Sequence, residues 1–236
     1  MIDIPIALHI PDGFLSAGVA AGCGLAAIAA VGYGLRVANL ELDEARVPLL
    51  GVLAAFIFAA QMLNFPIGGG TSGHFLGATL AAVLLGPWLA CLVMAVVLVV
   101  QAFAFADGGI SALGANVVNM GVLGALLAGL LVAAAMKVLP HARSVFLGVV
   151  GMVSWLAVMT GAAAASVQLA MSDTVPLATS MPAMLGVHSL IGIGEAVITV
   201  AAVSAVLAAR PDLVALAPRE LLPTGARVTQ PMEGTA

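Results

Sequence analysis

Most of the metal-binding chemistry available to this sequence lies in its four histidines, because both cysteines lie inside apolar runs. His9 precedes a Pro-Asp-Gly turn in "HIPDGFLS", and His74 ends the glycine-rich segment "GGGTSGH". Neutral imidazole is the commonest metal ligand and favours zinc, copper, iron or nickel. Carboxylate, thiolate or HExxH partners are missing near either histidine, so each one alone is interpreted as a hydrogen-bonded polar residue.

The position of His9 predicts a different site if translation begins at position 8. His9 would then be residue two, and the free amine, the amide nitrogen and Nδ1 of His9 could wrap one metal ion. His74 would supply a fourth nitrogen, and four nitrogens in a plane suit Ni²⁺, Cu²⁺ or low-spin Co²⁺. Residue 8 is Leu, and some bacterial Leu codons also serve as starts, where they are read as Met. The lead over residues 1–8 has no features of a targeting segment, and the part of it before position 8 is then not translated.

The composition predicts an all-α protein that crosses a membrane several times. The chain is 63% hydrophobic and 8% charged, whereas a soluble domain carries about 25% charged residues. A spanning helix needs roughly 20 apolar residues. Seven apolar runs are recognised, at about 14–35, 47–64, 75–86, 87–106, 116–136, 145–170 and 183–209. They define a transmembrane domain over residues 9–209.

The third run is too short to cross a bilayer, so it is predicted to be a half-length helix that continues from a glycine-rich segment dipping into the protein. Irregular backbone at membrane depth is tolerated only where protein buries it or where it lines a cavity. Residues 65–74 are therefore candidates for lining a site.

The basic residues predict the topology. With seven helices and the amino terminus outside, every Lys and Arg falls on the inner side, as the positive-inside rule requires. His9, His74 and His188 then lie at or near the outer face, and His141 lies in a solvated inner loop. The carboxyl terminus is inside, and residues 210–236 are predicted to form a disordered cytoplasmic tail.

Other polar residues lie within the apolar runs and are mostly interpreted as hydrogen-bonding partners between helices. Asn64 and Asn116, at outer helix ends, and His188 are predicted to support the metal ligands. Glu195 is near the middle of the last helix, where no Lys or Arg lies at its depth. It is interpreted as a neutral carboxyl that donates a hydrogen bond, acting either as a packing contact or as a switch that reports site occupancy.

Four motifs occur in order and resemble the CbiM/NikM family, from His9 to about residue 209. They are "HIPDGFLS", "FAAQMLNFPIGGGTSGHFLGATLAAVLLGPW", "LVVQAFAFADGGISALGANVVNMGVLG" and "IGEAVIT". The resemblance implies the substrate-capturing membrane subunit of an energy-coupling-factor importer for Co²⁺ or Ni²⁺. The family's metal is held by the amino-terminal nitrogen, by the backbone and side chain of the next His, and by a second His in the glycine-rich loop. Carried over, these are position 8 (Leu8), His9 and His74, with the metal as transported substrate and no resident cofactor.

The resemblance also implies the partners and the location. This chain has no phosphate-binding loop and a single lysine, Lys137, so ATP hydrolysis must come from separate chains. These are paired cytoplasmic ATPases, a coupling transmembrane subunit and a small accessory membrane subunit, in a bacterial inner membrane and without nucleic acid. The imported metal would feed cobalamin biosynthesis or nickel enzymes, and the sequence does not choose between cobalt and nickel.

Two other functions remain open at this stage. An intramembrane serine protease would use Ser72 and His188 as a dyad. A short glycine-containing motif around a serine is, however, expected by chance in a chain with 27 glycines. A self-sufficient secondary metal transporter would need charged pairs or an internal repeat at midplane, and only Glu195 offers such a charge. We expect a non-enzymatic transport subunit.

Overall fold

A computed structural model of the chain describes residues 9–42, 46–62, 65–67 and 71–222. The helices are α1 (Ala17–Glu41), α2 (Val47–Gln61), α3 (Ala78–Leu85), α4 (Pro87–Ala104), α5 (Leu113–Asn116), α6 (Ala128–Val138), α7 (Arg143–Met171) and α8 (Leu177–Ala209). A π-helical segment, Val117–Leu127, joins α5 to α6. Two short strands, β1 (Phe65–Ile67) and β2 (Thr71–Gly73), pair in an antiparallel hairpin.

The predicted helical membrane fold is confirmed, with this short hairpin added to it. Within the described residues, five helical stretches are long and apolar enough to cross a bilayer: Ala17–Leu40, Pro87–Ala104, Leu113–Val138, Arg143–Met171 and Leu177–Ala209. Helix α2 is shorter, at 15 residues. The predicted half-length helix is α3, which has eight residues, all of them buried. The count of seven crossings and the orientation of the termini stay predictions.

Glycine and proline set where the short central helix begins and ends. Gly77, with φ +73°, precedes α3, and Gly86, with φ +89°, follows it. Glycine adopts this left-handed backbone without the steric cost that a Cβ imposes. Pro87 then opens α4, where its missing N–H costs no intrahelical hydrogen bond. The chain can therefore turn sharply from α3 into α4 inside the bundle.

Small residues let the surrounding helices approach closely, as is common in lipid. A Cβ on Gly114 of α5 would lie 2.5 Å from the Cα of Gly24 in α1. A Cβ on Gly129 of α6 would lie 3.0 Å from the Pro87 ring. At Gly114 the obstruction is backbone, so a larger side chain there would force α1 away from α5.

Contacts between connecting segments occur at two ends of the bundle. At one end, Gly109 donates to the Ile10 carbonyl, and Thr174 donates to the Phe14 carbonyl. These contacts join the segment before α1 to the loops after α4 and α7. At the other end, Arg143 donates to Ser204, so the start of α7 lies beside the last turns of α8.

The carboxyl-terminal tail departs from the prediction over residues 211–222, which are ordered rather than disordered. This segment contains two 3₁₀ turns, Pro211–Leu213 and Arg219–Leu221, and it packs against the end of α3. The amide of Leu216 donates to the carbonyl of Val83 in α3 at 3.1 Å, and Val214 is buried. Apolar burial, which tail composition alone does not reveal, explains the difference. Residues 223–236 lie outside the described residues.

One ion pair joins this tail to the loop before α7. His141 Nδ1 donates to Glu220 at 2.8 Å, and His141 Nε2 donates to the Met136 carbonyl at 2.7 Å. Because both ring nitrogens face acceptors, the doubly protonated imidazolium is favoured. The hydrogen bond to Glu220 is the largest cause that raises the pKa of His141.

The pH dependence of this contact follows from the direction of the shift. A raised folded-state pKa contributes stability below the unfolded value of about 6.5, and that stability is lost as pH rises through the folded value. We expect residues 211–222 to be more protected at pH 6 than at pH 9. Hydrogen exchange, corrected for intrinsic rates, would measure this, and His141→Gln should remove the difference. Equal protection at both pH values in the unsubstituted protein would contradict it.

Candidate metal-capture site

The structure brings His9 and His74, the two predicted side-chain ligands, next to each other. Their ring centroids are 4.7 Å apart, and the rings are tilted by 49°. His9 lies just before the turn that leads into α1, and His74 directly follows β2. Both side chains are buried. Two imidazoles at this spacing can contribute nitrogens to one metal ion.

His9 has a carboxylate partner that the sequence analysis missed. His9 Nδ1 donates to Asp107 Oδ1 at 2.9 Å, so the expectation that no carboxylate lies near either histidine is wrong. His9 Nε2 and Asp107 Oδ2 are buried and have no hydrogen-bond partner within the part of the chain that the structure describes. Burial raises the pKa of Asp107, but the hydrogen bond and charge of His9 outweigh it and lower that pKa. Asp107 is therefore an anion beside the candidate site.

His74 is held in the form that can bind a metal. Its Nδ1 donates to the Phe75 carbonyl at 3.0 Å, which leaves the lone pair on Nε2. Burial, followed by the neighbouring His9, lowers the pKa of His74 to about 4. The imidazole is thus neutral near pH 7, as metal ligation requires.

Asn116, predicted to support the ligands, holds the backbone of the residue that follows His9. Its Oδ1 accepts from the Ile10 amide at 2.9 Å, and its Nδ2 donates to the Ile10 carbonyl at 3.2 Å. Asp12 Oδ1 accepts from both the amide and the hydroxyl of Ser111, at 2.7 and 2.6 Å. The segment before α1 is therefore bound along its length to the loop after α4.

The loop that carries Asp107 is tightly constrained. Ala106 has φ +53°, a conformation that costs energy for a residue with a Cβ. A Cβ on Gly109 would lie 2.3 Å from the Asp12 amide nitrogen. The Asp-Gly-Gly triplet of this loop is the sequence signal that indicates a close backbone approach.

The segment after His74 is held by two polar side chains from different helices. Glu195 of α8 accepts from the Leu76 amide at 2.7 Å and from the Gly77 amide at 2.9 Å. Gln61 of α2 donates to the Leu76 carbonyl at 2.7 Å. The prediction that Glu195 donates a hydrogen bond is wrong for both of these contacts, because each partner is a backbone N–H. A carboxylate at this depth costs about 2.5–3.5 kcal/mol, and the two hydrogen bonds offset part of that cost.

The other buried amides join helices, as the sequence predicts. Gln101 donates to Gln61 at 2.8 Å and so connects α4 to α2. Asn119 and Gln168 exchange two hydrogen bonds of 2.8 Å between the π-helical segment and α7.

The remaining predicted site residues are His188, Ser72, Leu8 and Asn64. His188 is buried, and its Nδ1 donates to the Met184 carbonyl within α8. Ser72 lies in β2 opposite Pro66. Leu8 and Asn64 lie outside the described residues. Within those residues, no group of three or more His, Cys, Asp or Glu side chains is arranged to hold a metal ion.

Comparison with known proteins shows which family the chain belongs to. The family described as the cobalt uptake substrate-specific transmembrane region, CbiM, matches residues 9–213. The chain belongs to this family. The match begins at His9 and includes His74, Asp107 and Glu195.

Relatives of the chain are named as transport proteins. A protein of Archaeoglobus fulgidus, provisionally named a fused nickel transport protein, is 40% identical over 88% of this chain and 68% of its own length. The cobalt transport protein CbiM of Sorangium cellulosum is 38% identical over 50% of this chain and 54% of its own length. A solved transition metal transporter is similar in fold, with a TM-score of 0.76, 31% identity and coverage of 85% of this chain and 93% of that one. This chain is a membrane protein of the cobalt and nickel transport type.

Replacing Asp107 tests whether its hydrogen bond positions His9, the first of the two proposed histidine ligands. Asp107→Asn removes a charge-assisted hydrogen bond, so we expect the metal-free protein to lose about 1.5–3 kcal/mol of stability. Added Ni²⁺ should restore much of it, because the metal then holds His9. Thermal unfolding in detergent, with and without Ni²⁺, measures both effects.

The same variant identifies the donor atom of His9. If the metal takes Nδ1, it displaces Asp107, and Ni²⁺ affinity should not fall in Asp107→Asn. We expect this result. A 10–100-fold loss, typical of removing an orienting carboxylate, would show that Asp107 keeps Nδ1 and that the metal binds Nε2 instead.

Proposed function

We propose that this chain captures Ni²⁺ or Co²⁺ at the end of the bundle where His9 and His74 meet, as the substrate-specific subunit of an energy-coupling-factor importer. The observation that supports this most strongly is the 4.7 Å pairing of two buried imidazoles from distant parts of the chain. His74 Nε2 carries a lone pair, and the ring is neutral near pH 7. Neutral imidazoles suit Ni²⁺ and Co²⁺ better than hard cations such as Mg²⁺.

The donor set that we propose combines these imidazoles with the start of the chain. If translation begins at position 8, the terminal amine, the His9 amide nitrogen and His9 Nδ1 form adjoining chelate rings, and His74 Nε2 completes four nitrogens. Metal binding then releases a proton from the amide, and the proton of His9 moves from Nδ1 to Nε2, so that the imidazole stays neutral. His9 Nδ1 must also break its hydrogen bond to Asp107 before it binds the metal. In the metal-free protein this hydrogen bond holds the His9 ring close to its metal-binding position.

The energy for transport is proposed to come from other chains. The sequence has no phosphate-binding loop, so we propose a coupling membrane subunit, paired ATPases and a small accessory membrane subunit as partners. The location that fits this assembly is a bacterial inner membrane. The delivered metal would serve cobalamin biosynthesis or nickel enzymes. Co-purification of the chain with its genetic neighbours tests the assembly.

Replacing His74 tests the metal site directly. His74→Ala removes one of four donors, so we expect stoichiometric Ni²⁺ and Co²⁺ binding to be lost while the protein stays folded. Calorimetry and metal analysis of the purified protein measure binding. His141→Ala is the matched control, because His141 lies at the opposite end of the bundle and should leave binding unchanged.

Ser72→Ala separates the transport proposal from the protease alternative. It should leave metal binding nearly intact, since a hydroxyl is not among the proposed donors. Peptide hydrolysis abolished by Ser72→Ala, with metal binding unaffected by His74→Ala, would favour the protease.

The proposed donor set requires a free amine next to His9. We expect the native protein to begin at position 8 as Met, and intact-mass or amino-terminal peptide analysis would show this. Protein made from position 8 should bind Ni²⁺ at least tenfold more tightly than protein made from position 1. Metal-loaded native protein that retains residues 1–7 would refute the amine as a ligand.

A further inference from the structure

We propose that Glu195 is the carboxylate partner of His74, acting through a single peptide group. In this arrangement Glu195 is a positioning residue: it sets the orientation and tautomer of the imidazole without touching the metal. The inference rests on the proposed capture of Ni²⁺ or Co²⁺ by His74.

The contacts form one continuous line. His74 Nδ1 donates to the Phe75 carbonyl at 3.0 Å. The amide of Leu76 donates to Glu195 Oε2 at 2.7 Å. The Phe75 carbonyl and the Leu76 amide belong to the same peptide group, so the carboxylate and the imidazole lie at its two ends.

A carboxylate at one end of a peptide group strengthens the hydrogen bond at the other end. The hydrogen bond that Glu195 accepts from the N–H polarises the peptide group, so its carbonyl becomes a better acceptor. The Phe75 carbonyl then holds the Nδ1 proton of His74 more firmly and keeps the lone pair on Nε2. Metal-ligating histidines commonly have such a partner on the other ring nitrogen.

The arrangement needs a carboxylate rather than another polar side chain. Glu195 accepts from two consecutive amides, through Oε2 from Leu76 and through Oε1 from Gly77. Among side chains only a carboxylate presents two acceptor oxygens. A glutamine of the same shape would turn an NH₂ group toward one of the two amides.

The next peptide group along the chain is fixed as well. Gln61 of α2 donates to the Leu76 carbonyl, and Gln101 of α4 donates to Gln61. Glu195 itself is 2% exposed and lies on the 33-residue α8. The backbone after His74 is thus held from three helices.

The two histidines therefore have equivalent partners. Asp107 accepts directly from His9 Nδ1, and Glu195 accepts from the peptide that accepts from His74 Nδ1. Each imidazole has its Nδ1 occupied in the metal-free arrangement. The difference is that Glu195 can keep its contact when His74 binds metal through Nε2, whereas Asp107 must release His9 if Nδ1 becomes the ligand.

The tautomer of His74, measured in the unsubstituted protein and in Glu195→Gln, tests the inference directly. In the metal-free full chain labelled with ¹⁵N-histidine, NMR should show His74 protonated on Nδ1, and a His74→Gln sample assigns the signal. In Glu195→Gln this preference should weaken, with a measurable population protonated on Nε2. A metal-free His74 protonated on Nε2 in the unsubstituted protein would overturn the proposal.

Metal affinity separates positioning from simple packing. Glu195→Gln should lower Ni²⁺ affinity about tenfold, the low end of the effect seen when a residue that hydrogen-bonds to a metal ligand is replaced. It should also shift the visible absorption bands of bound Ni²⁺. Thr199→Val is the matched control: Thr199 is buried on the same helix, and its hydroxyl has no hydrogen-bond partner in the described part of the chain. The control should bind Ni²⁺ as the unsubstituted protein does.

The outcomes distinguish this inference from the proposed function. Wild-type affinity and an unchanged tautomer in Glu195→Gln, with binding abolished in His74→Ala, would overturn the inference and leave metal capture standing. Affinity that falls only in proportion to thermal stability, with the tautomer unchanged, would overturn it too. If the unsubstituted protein binds neither Ni²⁺ nor Co²⁺, metal capture fails, while the tautomer still tests the contact with Glu195.

Discussion

In a bilayer, backbone amides and carbonyls that leave a regular helix must find partners inside the protein, because the hydrocarbon offers none. This chain interrupts its helices at the segment that follows His74, before the fully buried α3. The amides of Leu76 and Gly77 are accepted by Glu195, and the Leu76 carbonyl accepts from Gln61. The irregular backbone can exist at this depth because α2 and α8 supply polar side chains to it.

The same requirement shapes the end of the bundle where His9 lies. The segment before α1 has no regular structure of its own, so its backbone groups are satisfied by Asn116 and by the amide of Gly109. These contacts fix Ile10 and hence the residue before it. A loop held this firmly can present an imidazole at a constant distance from His74, and the same contacts limit how far His9 must move to exchange Asp107 for a metal.

Both halves of the proposed site therefore use carboxylates, the half-buried Asp107 and the buried Glu195, although neither is a ligand in the proposed donor set. The two hydrogen bonds that Glu195 accepts offset part of the cost of placing its carboxyl group inside an apolar bundle. Each carboxylate is bonded to a group that determines how a histidine is oriented. Two carboxyl groups beside the histidines are consistent with a site for a divalent cation, whose binding adds positive charge and releases protons.

The sequence by itself determined the membrane class, the approximate positions of the helices and the half-length of α3, because hydropathy and glycine placement are local properties. It also singled out His9 and His74 as candidate ligands, and the structure places these two rings together. It also predicted that Gln61, Gln101, Asn119 and Gln168 join helices. Only the tertiary structure decided that Asp107 faces His9 and that Glu195 accepts from the amides after His74. Those contacts link residues 98 and 119 positions apart, and no local pattern encodes which distant groups meet when the helices pack. The order of residues 211–222 depends equally on that packing, since burial of Val214 against the bundle has no counterpart in the composition of the tail.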